Sequence, residues 1–246
     1  MGNCHYTYLT SEAVTEGHPD KICDQISDAI VDAYLTQDPA SHVAVEAFVS
    51  GNVLTLAGEV SSSATVDVTA LARKVIADIG YTYPALGFTA DACLVFTNIH
   101  QQSNDIKQGV TQAEGDRIVG SGDQGIMYGY ATNETVNYMP LTVNLAQGLV
   151  RRLDRVRHDT ALGRFLRPDG KSQVTMRFDD EGHPVGIHSL ILSAQHSEAI
   201  GQDDLRQLCK RRSSNRSAVP GYARIRLSAS MRQVVSSSAA LWVIRA

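Results

Sequence analysis

The clearest hydrophobic pattern in the chain has the helical period, and it occupies two segments. In the first segment apolar residues recur every three or four positions from Ile22 to Tyr34. The second segment covers residues 68–79 and follows Asp67, a residue type that caps helices. This spacing predicts two amphipathic helices. Pro19 suits the first turn of the first helix, and Gly80 suits the end of the second. Before the first helix, Thr10-Ser11-Glu12 indicates a turn.

Apolar and polar residues alternate in other segments, which is typical of strands with one buried face. The predicted elements are strands at 42–49 and 53–60 joined by a Gly51-Asn52 turn, a strand at 92–99, a helix at 141–156, strands at 173–178 and 185–194 joined by a turn at 179–182, and a helix from about Asp203. A hairpin followed by a helix thus occurs twice. We predict an α+β fold built from repeated β-hairpin/helix units.

Composition narrows the class of protein. The 246 residues are 43% hydrophobic, and no apolar run is long enough to cross a bilayer. No secretory signal is visible. The four cysteines are scattered, which argues against a zinc site and a disulfide framework. We therefore expect a cytoplasmic protein without a membrane or nucleic-acid partner.

Charge divides the chain near its end. The net charge is −4, and all 26 acidic residues lie at or before Asp204, whereas the residues from Leu205 onward include nine Lys or Arg and no acid. Residues 100–122 are polar, rich in Gln, Gly and Asp, and show little periodicity. This segment is predicted to be a long loop, and loops of this length are usually lids or binding segments.

Candidate chemistry begins at the first helix. His18, Asp20 and Lys21 cluster at its N-terminus, where free N–H groups and partial positive charge suit a phosphate. In the alternative reading Asp20 caps the helix, while His18 and Lys21 are solvated.

Further candidates lie in strands and turns. Glu46 and Glu59 fall within strand patterns, where a buried carboxylate needs a cation or a donor, although both could face solvent instead. Lys171, at the entry to a strand, could be an ordinary turn residue. The Gly-rich run 120–125 could be a plain turn, and it lacks the Lys-Ser or Lys-Thr of a Walker A loop.

Taken together, four blocks resemble the S-adenosylmethionine synthetases (methionine adenosyltransferases). The blocks are Thr10-Ser11-Glu12 with Glu16-Gly17-His18-Pro19-Asp20-Lys21 and residues 24–29, residues 120–125 with 127–135, residues 167–174, and residues 193–198. They occur in the family's order up to about Leu208. The resemblance implies an N-terminal domain at 5–105, a mobile active-site loop and linker at 106–122, a central domain at 123–209, and a missing third domain.

The resemblance also implies an activity and the residues that carry it. The family forms S-adenosylmethionine from ATP and L-methionine and releases phosphate and diphosphate. The implied roles are catalysis by His18 and Lys171, ATP binding by His18, Asp123, Asp169, Gly170 and Lys171, methionine binding by Glu59 and Gln102, a Mg²⁺ contact at Asp20 and a K⁺ contact at Glu46. Two Mg²⁺ ions per site and a homo-oligomer, dimer or tetramer, with sites between subunits are implied as well. The same resemblance suggests a structural role for His196 at a strand end.

The sequence departs from the family in two places. Asn104 stands where the loop motif usually has Pro, and the family's later nucleotide and phosphate blocks do not follow Leu208. Residues 210–246 can be back-translated in a shifted frame into family-like segments, so we interpret them as a frameshift after about residue 209. We expect this basic tail to be disordered and the chain alone to be weakly active or inactive.

Two other interpretations stay open at this point. One is a non-catalytic nucleotide-binding or regulatory protein whose basic tail binds polyanions. The other is a damaged gene product with no role of its own.

Overall fold

The computed structural model describes residues 5–101, 125–159, 163–201, 232–236 and 239–245. In chain order the elements are β1 (Thr7–Val14), α1 (Pro19–Gln37), β2 (His42–Ser50), β3 (Val53–Ser61), α2 (Val68–Ile79), a short 3-10 helix (Pro84–Leu86), β4 (Leu94–Gln101), α3 (Leu141–Asp159), β5 (Leu166–Phe178), β6 (Pro184–His196), β7 (Arg232–Ser236) and β8 (Ala239–Arg245). The mixture of helices and largely antiparallel strands confirms the α+β class.

The chain separates into two compact units. The N-terminal unit is Pro19–Tyr130, and the central unit combines Met1–His18 with Ala131–Ala246. The first residues therefore belong with the second half of the chain. This division differs from a simple cut near residue 105, because β1 pairs with β5 over its whole length.

The N-terminal unit is a sheet with the strand order β2-β3-β4, covered on one face by α1 and α2. β2 and β3 form the predicted antiparallel hairpin, whereas β3 and β4 are parallel. The parallel pair is possible because α2 carries the chain back across the sheet. The core is made of fully buried aliphatic side chains: Ile22, Ile26 and Ile30 of α1, Leu54 and Leu56 of β3, and Ile76 of α2.

The predicted ends of α2 are confirmed. The Asp67 side chain accepts a hydrogen bond from the backbone N–H of Ala70, which satisfies one free donor of the first turn. At the other end Gly80 adopts φ 111°, and its N–H returns to carbonyls of the last turn. A residue with a side chain would be strained there.

In the central unit, the described strands form a sheet with the order β1-β5-β6-β8-β7, and all neighbours are antiparallel. α3 packs against β1 and β5. The Ser172 hydroxyl donates to the Ala146 carbonyl at 2.7 Å, and the Ser11 hydroxyl donates to Thr142 Oγ1 at 2.8 Å. These two bonds fix the helix over β1 and β5.

The turn expected at Thr10-Ser11-Glu12 is wrong. These residues lie inside β1, where Thr10 pairs with Thr175 and the two hydroxyls are 2.9 Å apart. The strand forms because Thr and Tyr side chains fit a pleated surface and because β5 supplies a partner strand 165 residues away. That partner is not visible in local sequence.

The basic tail at 210–246, for which we expect disorder, contains two described strands. Arg232–Ser236 and Ala239–Arg245 form β7 and β8, and β8 pairs with β6 between Ser189 and Gln195. A strand at the margin of a sheet offers unpaired N–H and C=O groups, which an extended segment can satisfy. The loop at 106–122, Asn104 and the helix expected near Asp203 lie outside the described residues.

Gly58 provides a test of how tightly the β2–β3 hairpin is packed. Its φ is 147°, and a Cβ there would lie 2.0 Å from the Ala44 carbonyl oxygen. We expect Gly58→Ala to lower the free energy of unfolding by about 3 kcal/mol or more, because strain and a backbone clash act together. Urea unfolding measures the loss.

Gly51 is the matched control, because its φ is also positive (58°) but a Cβ there meets nothing within 4 Å. Gly51→Ala should cost only about 1 kcal/mol, the cost of the left-handed backbone by itself. Equal losses in the two variants would contradict this account of the clash at Gly58.

Candidate active site

The segment Thr15–His18 runs along the beginning of β5. The backbone N–H of buried Thr15 donates to the Gly170 carbonyl at 2.9 Å, and its hydroxyl donates to the Pro168 carbonyl at 2.8 Å. A Cβ on Gly17 would lie 2.2 Å from Pro168 Cβ, so only glycine allows this approach. The segment is therefore seated closely against β5 just before His18.

This seating brings four of the predicted residues together. Burial raises the pKa of the Asp169 carboxyl above its ordinary value, while the positive charge of His18, the N–H of Gly170 and the charge of Lys171 act in the opposite direction. Asp169 Oδ1 has no hydrogen-bond partner among the described residues. His18, Asp169, Gly170 and Lys171 thus form one polar group, with an acceptor left open.

Alternation along β5 assigns these side chains to different faces. Pro168, Gly170 and Ser172 are buried, whereas Asp169 is half-buried and Lys171 is exposed. A Cβ on Gly170 would lie 2.8 Å from Leu153 Cδ2 of α3, which places this position toward the helix. Asp169 and Lys171 consequently lie on the other face, where a ligand can reach both.

A second charged group near this site was missed by the sequence analysis. Glu16 Oε1 accepts hydrogen bonds from Arg157 Nη2 and from His158 Nε2, the latter at 2.5 Å. Both partners lie in the last turn of α3, where the sequence analysis predicts no site residue. The Glu16–Arg157 pairing spans 141 positions, so no local pattern indicates it.

Asp154 completes this second group. Burial is the main cause that raises the pKa of Asp154 to about 6, and the nearby Glu16 carboxylate raises it further. A hydrogen bond from the Glu16 N–H and the nearby Arg157 and His158 lower this pKa, but by less. Asp154 Oδ1 lacks a hydrogen-bond partner within the described part of the chain. Two carboxylates therefore share the neighbourhood of one arginine and one histidine.

The candidates of the N-terminal unit lie at the start of α1. Asp20 is the second residue of α1, inside the first turn rather than before it, and it is exposed. Lys21 Nζ pairs with Asp24 Oδ2 at 2.9 Å. A cavity of about 300 Å³ lies beside α1 and is lined by Lys21, Cys23, Asp24, Gln25, Ser27, Asp28, Glu46 and Ala47.

Glu46 and Glu59 project from the same face of the N-terminal sheet. In the β2–β3 register Glu46 is opposite Ala57, and Glu59 is opposite Ala44, so the two carboxylates are diagonal neighbours. Leu54 and Leu56 fill the opposite, buried face. Glu46 is exposed and Glu59 is half-buried, which agrees with the interpretation that both lie on the wet face of the sheet.

Metal ligands are sparse in the described part of the chain. No group of three or more His, Cys, Asp or Glu side chains there is arranged to hold a metal ion. Asp20 and Glu46 are separate exposed carboxylates, which are suitable oxygen donors for Mg²⁺ and K⁺. Each could supply one ligand, and the remaining ligands would come from a bound phosphate, water or another part of the protein.

Two predicted residues, Gln102 and Asp123, lie outside the described residues. Of the Gly-rich block, the described part begins at Gly125, and residues 126–130 are exposed.

Beyond the Gly-rich block, the Glu134 carboxylate accepts a hydrogen bond from the Leu141 N–H at 2.9 Å. Glu134 therefore satisfies a free donor at the beginning of α3. His196 ends β6, and its Nδ1 lies 2.9 Å from the Ser197 carbonyl.

Comparison with known proteins gives a consistent result. The family model of the S-adenosylmethionine synthetase N-terminal domain matches residues 6–104, and the model of the central domain of the same enzymes matches residues 118–228. S-adenosylmethionine synthase 1 of Rhodopseudomonas palustris (strain BisB18) is 54% identical over 197 residues, which are 80% of this chain and 50% of the relative.

Other relatives match to a similar extent. S-adenosylmethionine synthase 1 of Rhodospirillum rubrum is 52% identical over 197 residues, with 80% of this chain and 50% of the relative covered. S-adenosylmethionine synthase of Porphyromonas gingivalis (strain ATCC 33277) is 52% identical over 200 residues, which are 80% of this chain and 46% of the relative. The chain spans about half the length of the curated relatives it matches.

The raised pKa of Asp154 leads to a prediction about stability. The folded protein holds the Asp154 proton more tightly than the unfolded chain, so this group lowers stability as pH rises from its ordinary value of 3.8 to about 6. Asp154→Asn should remove this dependence of stability on pH. At pH 7 it should raise the free energy of unfolding by about 1 kcal/mol, less than the full shift because solvent screens a half-buried group.

Urea unfolding at pH 4 to 8 measures this effect. Asp78→Asn is the control, because Asp78 forms only an exposed pair with Lys74 and should change stability by less than about 0.5 kcal/mol. Loss of stability in Asp154→Asn at pH 7 would contradict the assignment of a costly buried charge.

Proposed function

The chain belongs to the S-adenosylmethionine synthetase family, and we propose that it acts in the formation of S-adenosylmethionine from ATP and L-methionine, with release of phosphate and diphosphate. The observation that carries the proposal is the 54% identity over 197 residues to a protein named for this activity. The grouping of His18, Asp169 and Lys171 in the central unit supports it.

The chemistry explains why the site is made of charges rather than of a base. A thioether sulfur carries no proton, so its attack on C5′ of ATP needs no general base. The C5′–O bond breaks as the S–C5′ bond forms, and water then cleaves the released triphosphate to phosphate and diphosphate. The barrier to the first step is lowered by alignment of the two reactants and by neutralising the charge that develops on the leaving triphosphate. His18 and Lys171 suit the second task, since an imidazole N–H and an ammonium group can both donate to phosphate oxygens and both lie close to Asp169.

Asp169 and Gly170 suit the nucleotide itself. The open acceptor on Asp169 Oδ1 can receive an N–H or O–H of the nucleoside. The absence of a side chain at Gly170 lets the backbone of β5 pass close to Thr15 and to α3. We extend the nucleotide site to Asp123 on the family resemblance.

Methionine and the cations are assigned to the sheet and to α1. Glu59 complements the amino group of methionine, and Gln102 is proposed as its second contact. Asp20 would hold Mg²⁺ and Glu46 would hold K⁺, with two Mg²⁺ ions per site proposed from the family. Bound Mg²⁺ supplies further neutralisation of the triphosphate charge.

We further propose a homo-oligomer, dimer or tetramer, in which the outer face of the N-terminal sheet meets a second copy of the chain. The apolar end of this face consists of Phe48, Leu94 and Phe96, which are 66%, 56% and 59% exposed. Phe48 and Phe96 flank Thr55 in one cross-strand row. Such a contiguous apolar surface is characteristic of an interaction site.

The other end of the same face carries the proposed ligand groups. Successive rows of the sheet contain Glu46 with Ala57 and Asn98, and then Glu59 with Ala44 and His100. A second copy seated on the aromatic end would therefore bring its own surface beside Glu46 and Glu59. This continuity favours sites shared between subunits over an unrelated protein partner.

No helix among the described residues is long and apolar enough to cross a membrane. Cys23 and Cys93 are free thiols. These thiols agree with a reducing compartment, and we keep the cytoplasm as the proposed location.

The reaction is tested by incubating the chain with ATP, L-methionine, Mg²⁺ and K⁺ and measuring S-adenosylmethionine by mass spectrometry. Nucleotide binding is measured in parallel by calorimetry. Product that depends on methionine supports the proposal. Nucleotide binding without product would favour the non-catalytic alternative, and the absence of both would sink the proposed function.

Lys171 is the sharpest residue for a binding test. Lys171→Met should weaken the binding of Mg-ATP at least about tenfold, because a charge-assisted contact to a phosphate oxygen is lost. Lys74→Met is the matched control, since Lys74 is exposed on α2 and its ion-pair partner in the described part of the chain is Asp78. Equal affinity of Lys171→Met and the control would remove Lys171 from the phosphate site.

The oligomer is tested by placing a charge on the aromatic end. Phe96→Glu should shift the chain toward the monomer in sedimentation equilibrium, because burying an unpaired carboxylate in an apolar interface is costly. Leu35→Glu, at an exposed apolar position of α1, is the control and should leave association unchanged. A monomeric unsubstituted chain, or association unaffected by Phe96→Glu, would refute this interface.

A further inference from the structure

Glu16 is held from α3 at both its side chain and its backbone. Arg157 Nη2 and His158 Nε2 donate to its carboxylate, and the Arg157 side chain is only 9% exposed. The Asp154 carboxylate accepts a hydrogen bond from the Glu16 N–H. We call Asp154, Arg157 and His158 the α3 cluster.

The contacts on either side of Glu16 serve a different purpose. Thr15 bonds to the Pro168 and Gly170 carbonyls, and Gly17 lies against Pro168, so these two residues attach the segment to β5. Glu16 is the residue through which the same segment is attached to α3. The His18 N–H donates back to the Thr15 carbonyl at 3.1 Å, which closes a tight turn around Glu16 and Gly17.

Charge explains why Glu16 needs such partners. Glu16 and Asp154 are two carboxylates close to a site proposed to receive a triphosphate, and unpaired negative charge there would oppose binding. The Arg157 guanidinium offsets that charge, and His158 adds a hydrogen bond to Glu16. An arginine so little exposed is also held in one conformation by its packing, so it can fix the position of what it binds.

We propose that Arg157, together with Asp154 and His158, is a positioning residue that holds Glu16 and thereby sets the place of His18 relative to Asp169 and Lys171. The importance of this for the reaction rests on the proposed function, because the role of His18 comes from there. The holding of the segment does not depend on that function. The two can therefore be tested separately.

The first measurement is amide hydrogen exchange by NMR on the chain without nucleotide. In Arg157→Gln we expect the Gly17 and His18 amides to exchange about tenfold faster. The reason is that the charge-assisted bond from Arg157 to Glu16 is lost, so the segment opens more often. Val174 in β5 should keep its protection, because the sheet is not altered. Arg157→Lys retains the charge and should recover most of the protection.

Arg151→Gln is the matched control. Arg151 lies on the same helix and is exposed, and among the described residues it donates to Gln147, one turn earlier. In Arg151→Gln the exchange rates of the Gly17 and His18 amides should equal those of the unsubstituted chain. Unchanged exchange at Gly17 and His18 in Arg157→Gln would overturn the proposal. Equal loss of protection at Val174 would also overturn it, because Arg157 would then support the whole unit rather than this segment.

The second measurement is calorimetric binding of Mg-tripolyphosphate, used as a probe for the triphosphate. Arg157→Gln should weaken binding about tenfold, with recovery in Arg157→Lys. If the unsubstituted chain does not bind the probe, the proposed function fails, while the exchange result still decides whether Arg157 holds the segment. If the unsubstituted chain binds and Arg157→Gln binds equally well, the positioning role is refuted and the proposed function stands.

Discussion

The pairing of β1 with β5 is the constraint on which the site depends. It joins residues at the start of the chain to residues more than 150 positions later, in an unbroken antiparallel register from Thr7–Phe178 to Val14–Lys171. The register ends where Thr15 bonds to the Gly170 carbonyl. His18 is thereby delivered to Asp169 and Lys171. A register slip would move every one of these side chains to the wrong face.

Charge compensation is the second theme of the central unit. Asp154 and Asp169 are half-buried carboxylates with raised pKa values, and each has an oxygen without a partner among the described residues. Evolved proteins seldom leave such groups unsatisfied unless they serve a purpose. For Asp169 the proposed purpose is nucleotide binding, whereas for Asp154 it is to hold Glu16. The two proposals give the two carboxylates separate roles in the central unit.

The N-terminal unit contributes a surface rather than a closed pocket. Its sheet buries one face under α1 and α2 and leaves the other to carry an aromatic end and a carboxylate end. The exposed aromatic side chains at one end are the part of this face that water solvates poorly, whereas the carboxylates at the other end are well solvated. The proposed second copy would cover the aromatic end and lie beside the carboxylate end.

Local sequence was sufficient to determine much of this protein. The helical period placed α1, α2 and α3, alternation placed β2, β3 and β6, and Asp67 and Gly80 marked the ends of α2. Family motifs predicted His18, Asp169 and Lys171 as site residues, and the structure places them close together. These features are local because capping, turns and periodicity depend on residues within a few positions of one another.

The tertiary structure alone decided what depends on distant pairing. Residues 10–12 of β1 indicate a turn when read locally, because their partner strand β5 lies far along the chain. β8 is likewise not predicted locally, because it pairs with the edge of β6. The ion pair between Arg157 and Glu16 could not be predicted either, since basic residues at the end of a helix do not indicate which carboxylate they contact. Sequence determines which residues can form an element, whereas contact across the fold determines which of them meet.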